Sequence, residues 1–390
     1  MRKIWQNISA VVGRELRIIR RRPIYLLGSI AVMVFVAIFF LTFFRDGLPH
    51  DLPIGIVDND HSSQSRNFIQ QLDATQLGEV VMFDTFEDAR LAMQSGKVTG
   101  ICVIPANFYA DISAQRRPTM TYYLNGLYFV GGALAYKDLL QMIVLTNGAV
   151  QRQVLRMKGV NEGAIMGRIQ PIAIDTHQIG NVYTNYGYYL TNLMLPAFLE
   201  IVVIIVLIYS LGMELKYKTS RHLLQKANGS IIDALLGKLI VYTVLFSVIG
   251  LGVVMLLYFV MHFPIAGSIW NMFLAILLLV VASEGVAIFI IGLVPVPRLA
   301  LSIGALYSIL GISMAGFTLP IEAMSPWIQG LSVIFPLRHY YLFYTQEVIF
   351  GAGFAGWYKE VIHLLLFTFL PIFVMPRLKN AYEKQNFPID

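Results

Sequence analysis

Six runs of this sequence are apolar and long enough to cross a lipid bilayer: roughly 23–44, 192–213, 234–261, 269–293, 299–318 and 361–375. A bilayer core about 30 Å thick needs about 20 helical residues. Lipid offers the backbone no hydrogen bonds, so such runs must be helices. The composition agrees: 13% of residues are charged and 57% hydrophobic, against about a quarter charged in a soluble domain. The first run follows a basic stretch, as a signal peptide would. It is long enough to span, and "FFLTFFRDG" after it offers no small-x-small cleavage site, so it reads as an uncleaved first span. The last run is the shortest and contains Pro371.

The formal charge of +6 does not indicate nucleic acid, because the basic residues stand beside the apolar runs. Arg2, Lys3, Arg14, Arg17, Arg20, Arg21 and Arg22 precede the first, against Glu15 alone. Lys216, Lys218, Arg221, Lys226 and Lys238 follow the second, Arg298 the fourth, and Arg377, Lys379 and Lys384 the sixth. The intervening loops carry none ("HFPIAGS") or only Arg338 and Lys359. Excess Lys and Arg mark cytoplasmic loops. Both termini are therefore expected in the cytoplasm, and the segment after the first span outside.

That segment, residues 45–190, reads as a domain of its own. "LPIGIVDND", "EVVMFD", "VTGICVIP" and "PTMTYYLN" have strand patterns. Ser62 or Ser63 can cap a helix over "SSQSRNFIQQL", and Thr85 opens another that stops at Gly96. Alternating strands and helices predict a small α/β domain. Residues 127–158 predict a long helix, either a stalk or a lid on the sheet.

Motifs of catalysis are missing from the sequence. It contains no G-x-x-x-x-G-K-[ST], and "LLGKL" lacks the upstream glycine and the hydroxyl that would cradle phosphate. The seven histidines are scattered, without an i,i+4 pair, and no metal site is expected. Cys102 is the only cysteine, which excludes an internal disulfide.

Four segments bear on mechanism. Residues 214–230 mix basic, aromatic and leucine residues and offer either a partner-binding helix or a loop that only fixes topology. Residues 3–21 set Ile4, Trp5, Ile8, Val11, Val12, Leu16 and Ile19 against the arginines, as an interfacial helix does. Glu200 and Glu284 fall inside spans, where an acid must face protein or water. They read either as contacts on a substrate or ion path, or as fasteners held by groups such as Ser283, Tyr209, Tyr242 or Asn271, or by another subunit. Finally, Pro320, Pro326 and Pro336 divide 316–340 into pieces too short to cross the membrane. The pieces predict a re-entrant helical pair, or an interfacial segment with Trp327, Tyr340, Tyr341 and Tyr344 in an aromatic belt.

These stretches resemble the permease subunit of bacterial type-2 ATP-binding-cassette exporters, in the branch with a large outer domain after the first span. The resemblance covers the whole chain. "LPIGIVDNDHSSQSRNFIQQL" resembles the opening of the outer domain, and "YTNYGYYLTNLMLPAFL" the approach to span two. Glu214, Thr219, Gly237 and Lys238 match the family's Glu-x-x-x-x-Thr loop ending in Gly-Lys. Gly316, Pro320, Met324, Pro326 and Pro336 match its proline signature. The family loop often has Gly before its Thr, where this chain has Lys218; an Arg often follows the last aromatics, where this chain has Thr345 and Gln346.

The resemblance implies an α-helical polytopic membrane protein with six transmembrane helices, an inserted α/β extracytoplasmic domain and a re-entrant pair before the last span. Its parts are a cytoplasmic connecting helix (1–22), span one (23–44), the outer domain (45–190), five further spans (191–376) and a tail (377–390). A coupling loop (214–230) and a re-entrant segment (320–350) lie within the five-span region. It implies an inner-membrane exporter of a hydrophobic or amphipathic substrate, paired with a second permease as a homodimer or heterodimer. ATP and Mg would bind a separate ATPase, with no cofactor in this chain. A periplasmic adaptor and an outer-membrane channel are further expected partners, with membrane lipid and no nucleic acid. Expected contacts to the ATPase are Glu214, Lys216, Thr219, Arg221, His222 and Leu224. Glu200 and Glu284 are candidates for the path, and Pro320, Pro326, Trp327, Leu331 and Pro336 for the outer gate. The alternative is an ATPase-independent receptor or scaffold whose outer domain binds a ligand.

Overall fold

The computed structural model describes residues 2–45, 47, 51–75, 78–114, 116–126, 129–170, 177, 179–181 and 185–385. The chain divides into two units, Met1–Arg45 with Gln178–Asp390, and Asp46–His177. Along the chain, α1 (Arg2–Arg21) ends before Pro23, and a π-helical turn, Ile24–Gly28, runs into α2 (Ser29–Phe43). Proline's fixed φ suits the start of a helix.

The inserted unit runs β1 (Leu52–Asp58), α3 (Ser63–Asp73), β2 (Gly78–Phe83), α4 (Phe86–Gln94), β3 (Gly100–Ile104), α5 (Phe108–Ser113), β4 (Thr121–Leu124), α6 (Phe129–Met157) and α7 (Glu162–Ile169). Ser62 caps α3 by accepting from Ser65 N, and Thr85 caps α4 by accepting from Asp88 N. The sheet order is β2-β1-β3-β4, with β1 parallel to β2 and β3, and β4 antiparallel. Central β1 is covered on both faces, which explains its nearly unbroken apolar run. Ile54 and Ile56 pack with Cys102, Phe68, Ala135 and Leu139 on one side, while Val57 packs with Ala89, Ala92 and Val98 on the other. Thus α6 is the lid of the sheet. The expected start of that helix, Leu127, lies outside the described residues. A groove of about 920 Å³ opens beside α6, with Phe108, Ile112, Met120 and Ile143 among its apolar lining and Arg116, Arg117 and Arg168 among its charges.

The other unit holds six helices long and apolar enough to cross a membrane, among the described residues. They are Ile24–Phe43, α8 (Tyr186–Lys216), α10 (Ile231–Met255, extended by a π-turn to Val260), α11 (Ile269–Leu293), α12 (Pro297–Met314) and Phe354–Lys384; the short α9 (Ser220–Lys226) joins α8 to α10. Before the last lie α13 (Pro326–Ser332) and α14 (Pro336–Tyr344). The most apolar windows of α8 and α11 are 67% and 78% buried, against 33% or less for the other four. These two form the centre, and the rest present apolar surface outward. The fold is therefore a polytopic helical membrane protein with an inserted α/β domain.

The last span exceeds the expected 361–375. It is two helices, α15 (Phe354–Phe367) and α16 (Leu370–Lys384). Pro371 sits in the first turn of α16, where a missing N–H costs little, so it restarts the helix instead of ending it. Gly285 of α11 lies against this break: a side chain there would overlap the Phe367 carbonyl, with Thr368 Cα only 3.2 Å away.

Candidate functional site

The end of the helical unit that carries α1 and the end of α16 is built on a close helix crossing. Ile8, Val11, Arg14 and Glu15 are the buried residues of α1. Their spacing is one helical face, and it lies against α10. A Cβ on Gly237 would come 2.6 Å from Val11 Cβ and 3.0 Å from the Ile8 carbonyl. Only glycine admits α1 this closely. Ile4, Trp5 and Leu16 are exposed on the other side. The amphipathic pattern of 3–21 therefore divides into a protein-facing stripe and an outward apolar one.

The protein-facing stripe carries charge. Arg14 donates to both oxygens of Glu214, at the end of α8, through Nη1 and Nη2 at 2.7 Å each. Its Nη1 also reaches Glu15 at 2.8 Å. Lys238 of α10 lies 2.9 Å from Glu15 Oε2, an ion pair more than an aligned hydrogen bond, and 3.2 Å from Glu214. Thr219 Oγ1, before α9, donates to Glu214 at 2.5 Å. None of the four ionic residues is more than 9% exposed. Two charges of each sign cancel, which buried ions need. Burial works against the Arg14 cation, but Glu214 and Glu15 outweigh it and raise its pKa above the ordinary value. Nearby, Asn7 donates to Asp233 at 2.8 Å. The Gly-Lys pair thus has a physical meaning: Gly237 admits α1, and Lys238 balances its carboxylate.

Over this cluster α9 is clamped by α16. Ser220 Oγ donates to Tyr382 O at 2.8 Å, Arg221 Nε to Glu383 O at 2.7 Å, and Gln385 Nε2 to Lys218 O at 2.8 Å. Leu223 and Leu224 face inward, whereas Lys216, Arg221, His222, Gln225 and Lys226 are exposed. Of the expected contact residues, Lys216, Arg221 and His222 present themselves to a partner; Glu214 and Leu224 are buried, and Thr219 is partly so. A small cleft of about 250 Å³ between α1 and α9 is lined by Arg17, Arg21, His222 and Lys226. Lys218 has φ +55°, in the left-handed region that favours glycine.

The proline segment resolves into short helices at the opposite end. Pro326 and Pro336 each begin one, and Pro320 precedes a single 3-10 turn, Ile321–Ala323. The carbonyls left open by these breaks are taken up by side chains. Gln329 Nε2 donates to Met324 O at 2.9 Å, Arg338 Nη1 to Gln329 O at 3.2 Å and Tyr307 OH to Ile334 O at 2.5 Å; Tyr189 OH donates to Phe317 O. Irregular backbone shielded from water needs such partners. Trp327 and Leu331 are exposed, but Tyr340 and Tyr344 are buried in the bundle. The aromatic-belt expectation fails for those two tyrosines, because α14 packs its face against α11 and α15.

Glu200 and Glu284 are 1% and 2% exposed. Glu284 has a polar partner of the expected kind, though not one of the four named, and Glu200 has none among the described residues. Glu284 accepts from Thr243 Oγ1 at 2.6 Å, and neither oxygen of Glu200 has a hydrogen-bond partner among the described residues. Tyr242 instead bonds Ser210, Ser283 bonds Leu279 O, and Asn271 bonds Glu347. Glu347, missed in the sequence, is a satisfied buried carboxylate that also accepts from Ser268 N at 2.6 Å and Trp357 Nε1 at 2.8 Å. The Arg14–Glu15 half of the charge cluster was missed too. Its signal was a single acid, Glu15, within seven basic residues.

Compared with known proteins, residues 23–375 match the model of a family described as "ABC-2 family transporter protein". No curated protein matches the chain.

Proposed function

As a member of the ABC-2 transporter family the chain is the membrane permease of an ATP-binding-cassette exporter, and we propose that a separate ATPase docks on the exposed face of α9 and drives export through the charge cluster beneath it. The observation that carries this reading is the burial of Arg14, Glu15, Glu214 and Lys238 at one junction of α1, α8 and α10. A force on α9 reaches Glu214 through Thr219, and from there the cluster joins three helices whose charges cannot separate without large cost. Lys216, Arg221 and His222 offer the docking surface, with Arg17, Arg21 and Lys226 beside them.

The remaining parts follow the same scheme. Both termini and α9 are cytoplasmic, in the bacterial inner membrane, by the distribution of Lys and Arg. The inserted unit is extracytoplasmic. A second permease covers apolar surface left outside the α8–α11 centre. The proline-bounded helices seal the outer end of the path, with Trp327 and Leu331 on the exposed side. Glu200, without a hydrogen-bond partner among the described residues, and Glu284 become available to the path when helices separate. The substrate is hydrophobic or amphipathic; the groove beside α6, apolar with three arginines among its lining residues, supports the amphipathic class. An adaptor and an outer-membrane channel would continue the path from the inserted unit.

The test is affinity purification of the tagged chain from native membranes with identification of bound proteins. An ATP-binding-cassette ATPase should copurify, and Arg221→Glu with His222→Glu should release it while the chain still inserts. If none copurifies with the unaltered chain, the receptor reading takes its place.

A further inference from the structure

The histidines looked scattered in the sequence, yet two of them meet an acid where α14 packs on α15. We propose that His339, Glu360 and His363 form a binding site for a first-row divalent metal ion, with Zn²⁺ the best fit. The three ligand atoms lie within 4.8 Å of one another. His339 Nδ1 is 2.7 Å from Glu360 Oε2, and His363 Nδ1 is 3.8 Å from the same oxygen.

His339 Nε2 is 2.9 Å from the Val333 carbonyl. A carbonyl only accepts, so Nε2 carries the hydrogen and the neutral ring turns the Nδ1 lone pair toward Glu360. Two lone pairs cannot face each other at 2.7 Å without a cation between them. A proton would serve those two groups. It would leave His363 Nδ1, a buried atom with no hydrogen-bond partner among the described residues, still unmatched. A metal ion satisfies all three.

The Val333 contact is what a metal-binding imidazole ordinarily has: its other nitrogen held by a backbone carbonyl, which fixes tautomer and orientation. Two imidazoles and one carboxylate suit zinc, which binds N and O at about 2.0–2.2 Å and leaves a fourth position open in such three-ligand sites. Calcium and magnesium prefer oxygen alone. Glu360 and His363 stand at i and i+3, on one face of α15. The His339 and His363 rings stack at 4.5 Å and 14°, so His363 must turn to aim its lone pair. Its side chain is 41% exposed and free to do so. A bound ion would pin α14 to the last span; that this restrains a gate rests on the function proposed above, whereas the binding itself does not.

The test uses the purified full chain in detergent, its affinity tag removed and its metal stripped with a chelator. Zn²⁺ is then titrated in competition with a fluorescent indicator, a measurement that needs no ATPase. The expected result is one Zn²⁺ per chain, weakened about tenfold or more in Glu360→Gln and in His363→Ala. Half-exposed His363 makes the second variant safe for folding if the first is not. Co²⁺ should bind with the visible absorption of a low-coordinate site, lost in His363→Ala. Absence of tight Zn²⁺ binding, as a bridging proton would give, overturns the proposal. So does equal affinity in the unaltered protein and His363→Ala, which would place the ion elsewhere.

Discussion

Replacing Lys238 by Met removes one cation from the buried cluster. Glu15 and Glu214, 0% and 3% exposed, then share the single charge of Arg14. An uncompensated charge left by breaking a buried pair costs about 3–5 kcal/mol. Glu15→Gln errs the other way, leaving two cations for one carboxylate, with a cost of similar size. The double variant restores neutrality, because the paired contacts of Arg14 with Glu214, at 2.7 Å each, survive. The two costs should therefore not add: the double variant should be more stable than their sum by about 2 kcal/mol or more. Reversible unfolding in mixed detergent micelles, followed by circular dichroism, measures all four proteins. Additivity within about 0.5 kcal/mol would mean that Lys238 and Glu15 do not sense each other, and the cluster would be a coincidence of packing.

Lys218→Gly should stabilise the protein by up to about 1 kcal/mol in the same assay, since the left-handed conformation costs an L residue about 1–2 kcal/mol and glycine's added chain entropy offsets part of it; a loss of stability would count against the role of φ at this turn. Gly237→Val should push α1 from α10 at a cost of about 1–3 kcal/mol, seen as faster tryptic cleavage within α1; unchanged cleavage would show that α1 is not held there. Burial pushes the Cys102 thiol up to about 12, so it should stay unlabelled by maleimide at neutral pH until the protein unfolds. That leaves Ser63→Cys and Gln225→Cys, both exposed positions, as clean topology reporters: an impermeant reagent on intact cells should label the first alone, and the reverse pattern would invert the assigned orientation.

Local signals in the sequence translated directly into structure. Ser62 and Thr85 became caps, and 269–293 became Ile269–Leu293, because a cap or an apolar run acts through its own neighbours. The extent of the last span was not legible from Pro371, since a proline ends one helix or begins another depending on what packs beside it; here a helix begins at it, with Gly285 of α11 against the break. Arg14 and Glu15 were legible as charges but not as core. Nothing local says that a charged stripe will meet Glu214, 200 residues away. The histidine pair had the same difficulty: Glu360 and His363 share a helix face, but His339 arrives only through the packing of α14 on α15. Lys218 shows the opposite case, a lysine in a left-handed turn that its identity does not announce.

The proposed coupling requires the α9 end and the proline-bounded end to move together. The direct measurement is the reactivity of Trp327→Cys, in the complex with its ATPase reconstituted in lipid nanodiscs, before and after trapping with ATP and vanadate. The expected result is a change in labelling rate on trapping that is abolished by Lys238→Met while the ATPase stays bound. Identical reactivity in both nucleotide states, or a change that persists unaltered in Lys238→Met, would contradict it.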